Sequence, residues 1–152
     1  MKERFIAEKL YKRIIQSMPI CCVDVVVANK NRFLLVQRKK DPAKGKWWFC
    51  GGRLLFNESL KAGVKRKLKE ELGIKKIKQI KFLDVGETKF KKGYFDFPVH
   101  SVNITFVATI DDFQAKNINL DTNNHIKYQW FTRIPNKVDP YVKRFLKLVN
   151  FK

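Results

Sequence analysis

The chain has 152 residues, 45% of them apolar, and its 33 Lys and Arg against 14 Asp and Glu give a formal net charge of +19. The length predicts a single domain over residues 1–152, and no apolar stretch is long enough to span a membrane, so we expect a soluble cytoplasmic protein without a membrane partner. The positive charge favours anionic partners such as nucleotides, polyphosphates or nucleic acid, but the lysines are spread over the whole sequence, which argues against a dedicated nucleic-acid surface.

A helix and three strands are predicted before residue 54. The helix covers residues 3–17, where Ile6, Leu10 and Ile14 form an apolar stripe at helical spacing. Runs of apolar residues bounded by turn residues predict the strands, which cover residues 20–28, 32–39 and 47–53. The third strand, "WWFCGGR", ends in two glycines, so we expect a bend there.

The rest of the chain predicts a central helix, further strands and a closing helix. Asn57 or Ser59 can cap the central helix, which ends at Leu72 before Gly73. An extended segment, a loop, a long strand and a short strand are predicted in that order over residues 76–87, 89–98, 100–110 and 127–132. The closing helix covers residues 139–149. These elements predict an α+β domain, an α/β/α sandwich around a mixed β-sheet.

Residues 52–74 contain a motif with chemical meaning. Their spacing is G-x5-E-x7-R-x-L-x-E-E-x-G-I. It resembles the Nudix box, G-x5-E-x7-R-E-U-x-E-E-x-G-U, where U is a bulky aliphatic residue. One fixed position differs, because Lys67 stands where the box has its first glutamate of the R-E-U triplet. The predicted strand–loop–helix context is the one that the box requires, so the resemblance implies a Nudix fold with its loop and helix at residues 52–74.

Lys67 changes the metal chemistry that the box implies. Lys67 and Glu71 are four residues apart, so their side chains share one face of the helix. In Nudix diphosphatases the box glutamates bind Mg²⁺, which shields a diphosphate and activates the water that attacks phosphorus. An ammonium in place of one glutamate removes a ligand and changes the local charge by two units. Either the enzyme is disabled, or its water is activated by another group.

The flanking segments resemble one Nudix subgroup, the GDP-mannose mannosyl hydrolases. The resemblance lies in "DPAKGKWWFCGGR" at residues 41–53 and in the order of "MPICCVDVVV", "FLLVQR" and "NHIKYQWFT", and it runs from about Pro19 to Thr132. It implies hydrolysis of a nucleotide sugar, GDP-mannose or GDP-glucose in preference, by water attack at the anomeric carbon with inversion. GDP and free sugar are the implied products, Mg²⁺ (or Mn²⁺) the implied cofactor, and a homodimer the implied assembly.

The resemblance also implies a metal site and a general base. Its metal ligands fall on the Gly51 carbonyl, Glu71 and Asn124, where the subgroup usually has Gln, with Glu70 as a further box carboxylate. Its general base falls on His125, which stands in the polar segment before the short aromatic strand.

Five residues are candidates to bind the substrate or assist catalysis. The resemblance places Arg38 and Arg53 on the departing diphosphate and Asp24 near the sugar. Asp24 also interrupts an apolar strand, so a structural partner such as Arg38 is an equal alternative. Trp47 is a candidate to stack on a base, although side chains alternate along a strand and only one of the two adjacent tryptophans can do so. His100 can be structural or can face the substrate.

Two features depart from the subgroup. The segment "VGETKFKKGYFDF" has no counterpart of its mobile-loop histidine, and Ser101 stands where it has a tyrosine. Two other functions therefore stay open. One is a Nudix diphosphatase that cuts the P–O–P bond with Glu70, Glu71 and Glu58. The other is a non-catalytic basic module that binds a nucleotide or RNA.

Overall fold

The computed structural model describes residues 6–152, so the predicted helical positions 3–5 lie outside the described residues. The helices are α1 (Glu8–Ser17), α2 (Leu60–Leu72), α3 (Asp112–Lys116) and α4 (Pro140–Leu148). The strands are β1 (Ile20–Asn29), β2 (Arg32–Arg38), β3 (Trp47–Trp48), β4 (Cys50–Arg53), β5 (Gln79–Phe90), β6 (Val99–Thr109) and β7 (His125–Phe131). Within residues 6–152, no helix is both long enough and apolar enough to cross a bilayer.

The seven strands form one mixed sheet. Its order is β3–β2–β1–β6–β5, with β4 paired to β1 and β7 paired to β2. Among the strands of residues 6–152, only β1 and β6 run parallel, and all other pairs are antiparallel. The prediction of an α+β domain with a mixed sheet is therefore confirmed.

Helices cover both faces of the sheet, as the predicted sandwich requires. Side chains alternate along β1, so Val25 and Val27 pack in one core while Val26 packs in the other. Helix α2 closes the first core with three fully buried apolar residues, and α4 closes the second with three more. The central strands are consequently apolar on both faces, which explains why the sequence of β1 is a nearly continuous apolar run.

The N-terminal helix differs from its prediction in extent and in its buried face. It begins at Glu8, and its one buried residue is Ile15, whereas Leu10 of the predicted apolar stripe is 54% exposed. Helix α1 contacts β6, and its Tyr11 and Ile15 line a cavity. Tertiary placement, rather than the apolar spacing of the sequence, therefore selects the buried face.

The predicted third strand is two short strands with different partners. Strand β3 pairs with β2, and β4 pairs with β1, with Phe49 between them. Gly51 lies opposite Asp24, and a Cβ at Gly51 would stand 2.3 Å from the Val23 carbonyl oxygen. Only glycine permits this close approach of β4 to β1, which brings the start of the box segment to the centre of the sheet.

The boundaries of α2 follow from its caps. The Ser59 hydroxyl accepts a hydrogen bond from the Ala62 backbone N–H, and Gly73 ends the helix in the left-handed conformation at φ 68°. Asn57, the alternative cap, lies outside the helix. Two predictions elsewhere are wrong in detail, because β5 extends into the predicted loop as far as Phe90 and the short helix α3 was not predicted.

We expect Phe145→Ala to lower the free energy of unfolding by about 3–5 kcal/mol, because the ring is fully buried between Phe49 and Tyr141 and its loss leaves a cavity. Chemical denaturation followed by circular dichroism measures the change. Leu148→Ala is the control, since Leu148 is on the same helix but 47% exposed, and it should cost less than about 1 kcal/mol. Equal losses from the two substitutions would show that α4 does not form the core described above.

Candidate active site

A cavity of about 270 Å³ lies where β1, β2, β4 and β6 meet α1. Asp24 of β1, Arg38 of β2 and Arg53 of β4 line it, together with the Gly51–Gly52 bend. His100 of β6 also lines it. The structure thus brings together one carboxylate, two guanidinium groups and an imidazole from four strands, all of which the sequence had singled out.

Asp24 is a buried carboxyl group with a partner that the sequence did not indicate. It is 6% exposed, and the Tyr141 hydroxyl of α4 donates a hydrogen bond to its Oδ2 at 2.8 Å. Burial raises the pKa of Asp24 to about 6, against the opposing effects of the Tyr141 hydrogen bond and the Arg38 charge. Burial and the Asp24 carboxylate raise the pKa of Tyr141 well above its usual range, so the phenol remains a donor.

The two arginines supply positive charge to the cavity wall. Burial lowers the pKa of Arg38, although the nearby carboxylates of Glu71 and Asp24 oppose this, and the Nε of Arg38 donates to the Pro42 carbonyl at 2.6 Å. Arg38 therefore acts on Asp24 through its charge and is anchored by the backbone. The Arg53 guanidinium lies over the Tyr11 ring, 5.3 Å from its centroid. Planar guanidinium groups held in this way are suited to phosphate oxygens.

Trp48, not Trp47, faces the cavity. The Trp48 ring is 6% exposed and stacks on Tyr141 at a centroid distance of 5.4 Å. Trp47 points to the other side of the strand, where it meets Phe131 edge to face at 5.3 Å and lies under the Lys127 ammonium. The cavity wall therefore includes Trp48 and not Trp47, and a role of Trp47 in substrate binding stays a prediction. Pleating shows that the two rings diverge, but the sequence alone does not show which ring faces the cavity.

Ser101 and two tyrosines from other segments also line the cavity. Ser101 lines the cavity at the position where the subgroup has a tyrosine, and Tyr11 of α1 and Tyr94 of the loop after β5 bring phenol groups from elsewhere. His100 is hydrogen-bonded through Nε2 to Glu87 at 2.9 Å. No local sequence pattern indicates that these tyrosines belong to the cavity, because they are distant from the box.

Glu71 lies next to this cavity region, in a buried cluster with Lys67 and His125. Its Oε1 is 2.7 Å from the Lys67 ammonium, and its Oε2 is 2.9 Å from His125 Nε2. Burial alone would raise the pKa of Glu71, but the His125 hydrogen bond and the Lys67 charge outweigh it and lower the pKa. Because Glu71 is ionised and can only accept, Nε2 of His125 is the donor in this hydrogen bond. Nδ1 is buried and has no hydrogen-bond partner in the described part of the chain.

His125 lies outside the cavity wall, and its role as general base stays a prediction. Its ring is 3% exposed and is absent from the cavity wall, although β2 pairing sets it opposite Arg38. The turn that leads to it packs on α2, where the Asp121 N–H donates to the Glu71 carbonyl. Asn124 in the same turn donates its amide N–H to Asp121 at 2.6 Å. The cavity itself offers Asp24 as the carboxylate that can accept a proton.

The residues implied as Mg²⁺ ligands do not fit a divalent cation in this arrangement. Both Glu71 carboxylate oxygens are occupied by Lys67 and His125. The Glu70 carboxylate contacts the same ammonium and Arg66, each at 3.2 Å. Within residues 6–152 no group of three or more His, Cys, Asp or Glu side chains is arranged to hold a metal ion. Mg²⁺ prefers free oxygen donors in octahedral geometry, and the box carboxylates here are already neutralised by protein cations.

Comparisons with known proteins agree with this fold. The NUDIX domain model matches residues 18–144. The chain is 29% identical over 139 residues to the low-salt glycan biosynthesis protein Agl8 of Haloferax volcanii, covering 90% of this chain and 85% of that protein. It is 29% identical over 93 residues to an ADP-ribose pyrophosphatase of Methanocaldococcus jannaschii, which covers 60% of this chain and 52% of that protein. The solved structure of a MutT NUDIX hydrolase from Burkholderia pseudomallei aligns with a TM-score of 0.73 at 22% identity, over 88% of this chain and 99% of that one. This similarity is one of fold.

We expect Asp24→Asn to stabilise the protein at pH 8 but not at pH 4. The folded state binds the Asp24 proton more tightly than the unfolded state does, because burial raises the pKa from 3.8 to about 6. Stability is therefore lost as pH rises between these values, and the asparagine variant avoids a loss of up to about 3 kcal/mol. Urea denaturation of both proteins from pH 4 to pH 8 measures the difference.

Tyr141→Phe is the matched control, since it removes the donor that favours ionised Asp24. It should destabilise the protein more at pH 8 than at pH 4, opposite in direction to Asp24→Asn. A difference between Asp24→Asn and wild type that stays constant with pH would contradict this account of Asp24.

Proposed function

The chain belongs to the Nudix family, and we propose that it hydrolyses a nucleoside-diphosphate sugar to the nucleoside diphosphate and the free sugar. The observation that carries the proposal is the cavity in which Arg38, Arg53 and Asp24 meet beside the Gly51–Gly52 bend. The preference for GDP-mannose or GDP-glucose rests on the resemblance of residues 41–53 to the mannosyl hydrolase subgroup. A relative named for glycan biosynthesis is compatible with a sugar substrate.

The state of the box carboxylates favours attack at carbon over attack at phosphorus. Attack at phosphorus in this family depends on divalent cations, which Nudix hydrolases generally use, held by free box glutamates. Here Glu58 is held by two hydrogen bonds from Arg66, at 2.7 and 2.9 Å, and the other box carboxylates are paired as described above. Attack at carbon requires only a base for water and positive charge for the departing diphosphate, and the cavity supplies both.

The reaction can be written with the groups of the cavity. Water attacks the anomeric carbon and forms a new C–O bond, while the bond from that carbon to the diphosphate oxygen breaks. The electron pair leaves on the diphosphate, where Arg38 and Arg53 stabilise the charge that develops. The proton of the water passes to the Asp24 carboxylate. Attack from the face opposite the leaving group inverts the anomeric centre.

Asp24 is suited to the role of general base. A base works best when its pKa is near the working pH, and burial raises the pKa of Asp24 to about 6. Its Oδ2 is fixed by Tyr141, which leaves Oδ1 as the acceptor. This assignment replaces His125, whose ring is buried beside Glu71.

A diphosphatase is the second candidate, because the relative from Methanocaldococcus jannaschii is named an ADP-ribose pyrophosphatase. This activity would need Glu58, Glu70 and Glu71 to leave their protein partners and bind metal ions. Its products would be a nucleoside monophosphate and a sugar phosphate. A basic module without turnover would bind nucleotide or RNA and form neither product set.

We expect hydrolysis in ¹⁸O-labelled water to place the heavy isotope on the free sugar and none on the nucleotide, because the new bond forms at carbon. Mass spectrometry of the products measures this, with a panel of nucleoside-diphosphate sugars as substrates. GDP with unlabelled phosphate and labelled sugar supports the proposal. Label in a phosphate, with GMP and sugar phosphate as products, establishes the diphosphatase instead.

We expect Asp24→Asn to lower kcat by ~10²–10⁴ with little change in KM, since it removes the base and leaves the arginines in place. Because we expect the Asp24→Asn variant to stay folded at neutral pH, a loss of kcat there would not result from unfolding. His125→Gln is the comparison, and it should retain more activity than Asp24→Asn. If His125→Gln loses ~10²–10⁴ while Asp24→Asn stays active, the base is His125 and the cavity assignment is wrong.

A further inference from the structure

The Lys67 ammonium lies between the two adjacent glutamates at the end of α2. It is 2.7 Å from Glu71 Oε1 and 3.2 Å from Glu70 Oε2, and the Lys67 side chain is only 17% exposed. These contacts involve one ammonium and two carboxylates. The Glu71 side chain is only 7% exposed, so the Lys67–Glu71 ion pair is more buried than an ordinary pair on a solvated helix surface.

The surroundings of Lys67 fit its stem as well as its charge. A Cβ on Gly52 would stand 3.1 Å from Lys67 Cε, so the glycine at the start of the box leaves room for the lysine side chain. Burial alone would lower the pKa of Lys67, but the carboxylates of Glu71 and Glu70 outweigh it and raise the pKa. The ammonium is therefore charged throughout the neutral range. The second Glu71 oxygen is filled by His125, so the carboxylate has no free side for another cation.

We propose that the Lys67 ammonium is the resident cation of the Glu70–Glu71 pair, and that this chain works without a divalent metal ion on Glu71. The lysine supplies one positive charge at a fixed position, and Glu71 acts as a positioning residue that joins α2 to His125. A metal ion on Glu71 would have to displace the ammonium or lie beside it, and like charges at such distances repel strongly in a partly buried site. The statement about metal binding is independent of the proposed function, whereas the statement about activity rests on it.

The test is a Mn²⁺ titration of the full chain, with free Mn²⁺ measured by electron paramagnetic resonance after purification with EDTA. We expect wild type to show no saturable site with a Kd below about 1 mM. Lys67→Glu replaces the ammonium by a carboxylate one turn from Glu71, and it should create a site that binds at least about 10-fold more tightly. Lys67→Met removes the charge without adding a ligand and should fall between them.

Lys65→Glu is the matched control. It makes the same charge change on the same helix, but Lys65 is exposed, and within residues 6–152 no ion pair joins it to Glu70 or Glu71. It should bind Mn²⁺ as wild type does. A tight site in wild type, or equal tightening by Lys65→Glu and Lys67→Glu, overturns the proposal. Thermal unfolding of each variant verifies its fold, and if Lys67→Glu does not fold, the titrations of wild type and Lys67→Met decide the outcome.

Turnover in EDTA tests the catalytic part separately. Retention of wild-type hydrolysis of nucleotide sugars in excess EDTA supports it, and loss of hydrolysis that Mg²⁺ restores overturns it. If no nucleotide sugar is hydrolysed with or without Mg²⁺, the proposed function fails, while the Mn²⁺ titration still decides whether Lys67 holds the cation position.

Discussion

The buried Glu71 carboxylate constrains the elements that surround it. A buried carboxylate is costly unless charged or hydrogen-bonding partners surround it, and Glu71 has Lys67 on one oxygen and His125 on the other. Lys67 is on the same helix, whereas His125 begins β7, so the pair ties α2 to the far edge of the sheet. The Asp121 N–H, which donates to the Glu71 carbonyl, strengthens the same junction. The junction between α2 and the start of β7 thus includes the partners that satisfy one buried negative charge.

The box carboxylates and the charged groups of the cavity form two separate regions, whereas the family resemblance implies one site that contains both. The box carboxylates are paired with Arg66, Lys67 and His125, while the cavity is lined by Asp24, Arg38 and Arg53. The reactive polar groups of the cavity come from strand ends, and the helix next to it serves as a support with its charge balanced internally. The proposal of attack at the sugar carbon rests on this division, since that reaction needs one base and positive charge on the leaving diphosphate.

The burial of Asp24 has opposite consequences for stability and for the proposed catalysis. Its burial disfavours the ionised form, which makes the folded state less stable at neutral pH. The same burial brings the pKa towards the range in which a carboxylate accepts and releases a proton readily. Tyr141 limits the loss by donating one hydrogen bond, and its ring stacks on Trp48, so the second core directly supports the carboxyl group.

Local sequence predicts the features that depend on neighbours along the chain. It predicts the central helix with its Gly73 end, the longer strands, the mixed α+β architecture, and the shared helix face of Lys67 and Glu71, because these follow from periodicity and spacing within a few residues. It left the cap open between Asn57 and Ser59. Only the tertiary structure decided the contacts between distant segments. Tyr141 meets Asp24 across 117 positions and His125 meets Glu71 across 54, and no local pattern encodes such pairs. The choice of Trp48 over Trp47 for the cavity was likewise decided by the packing of β3 against α4, since alternation along a strand fixes that the two rings diverge but not which face becomes the site.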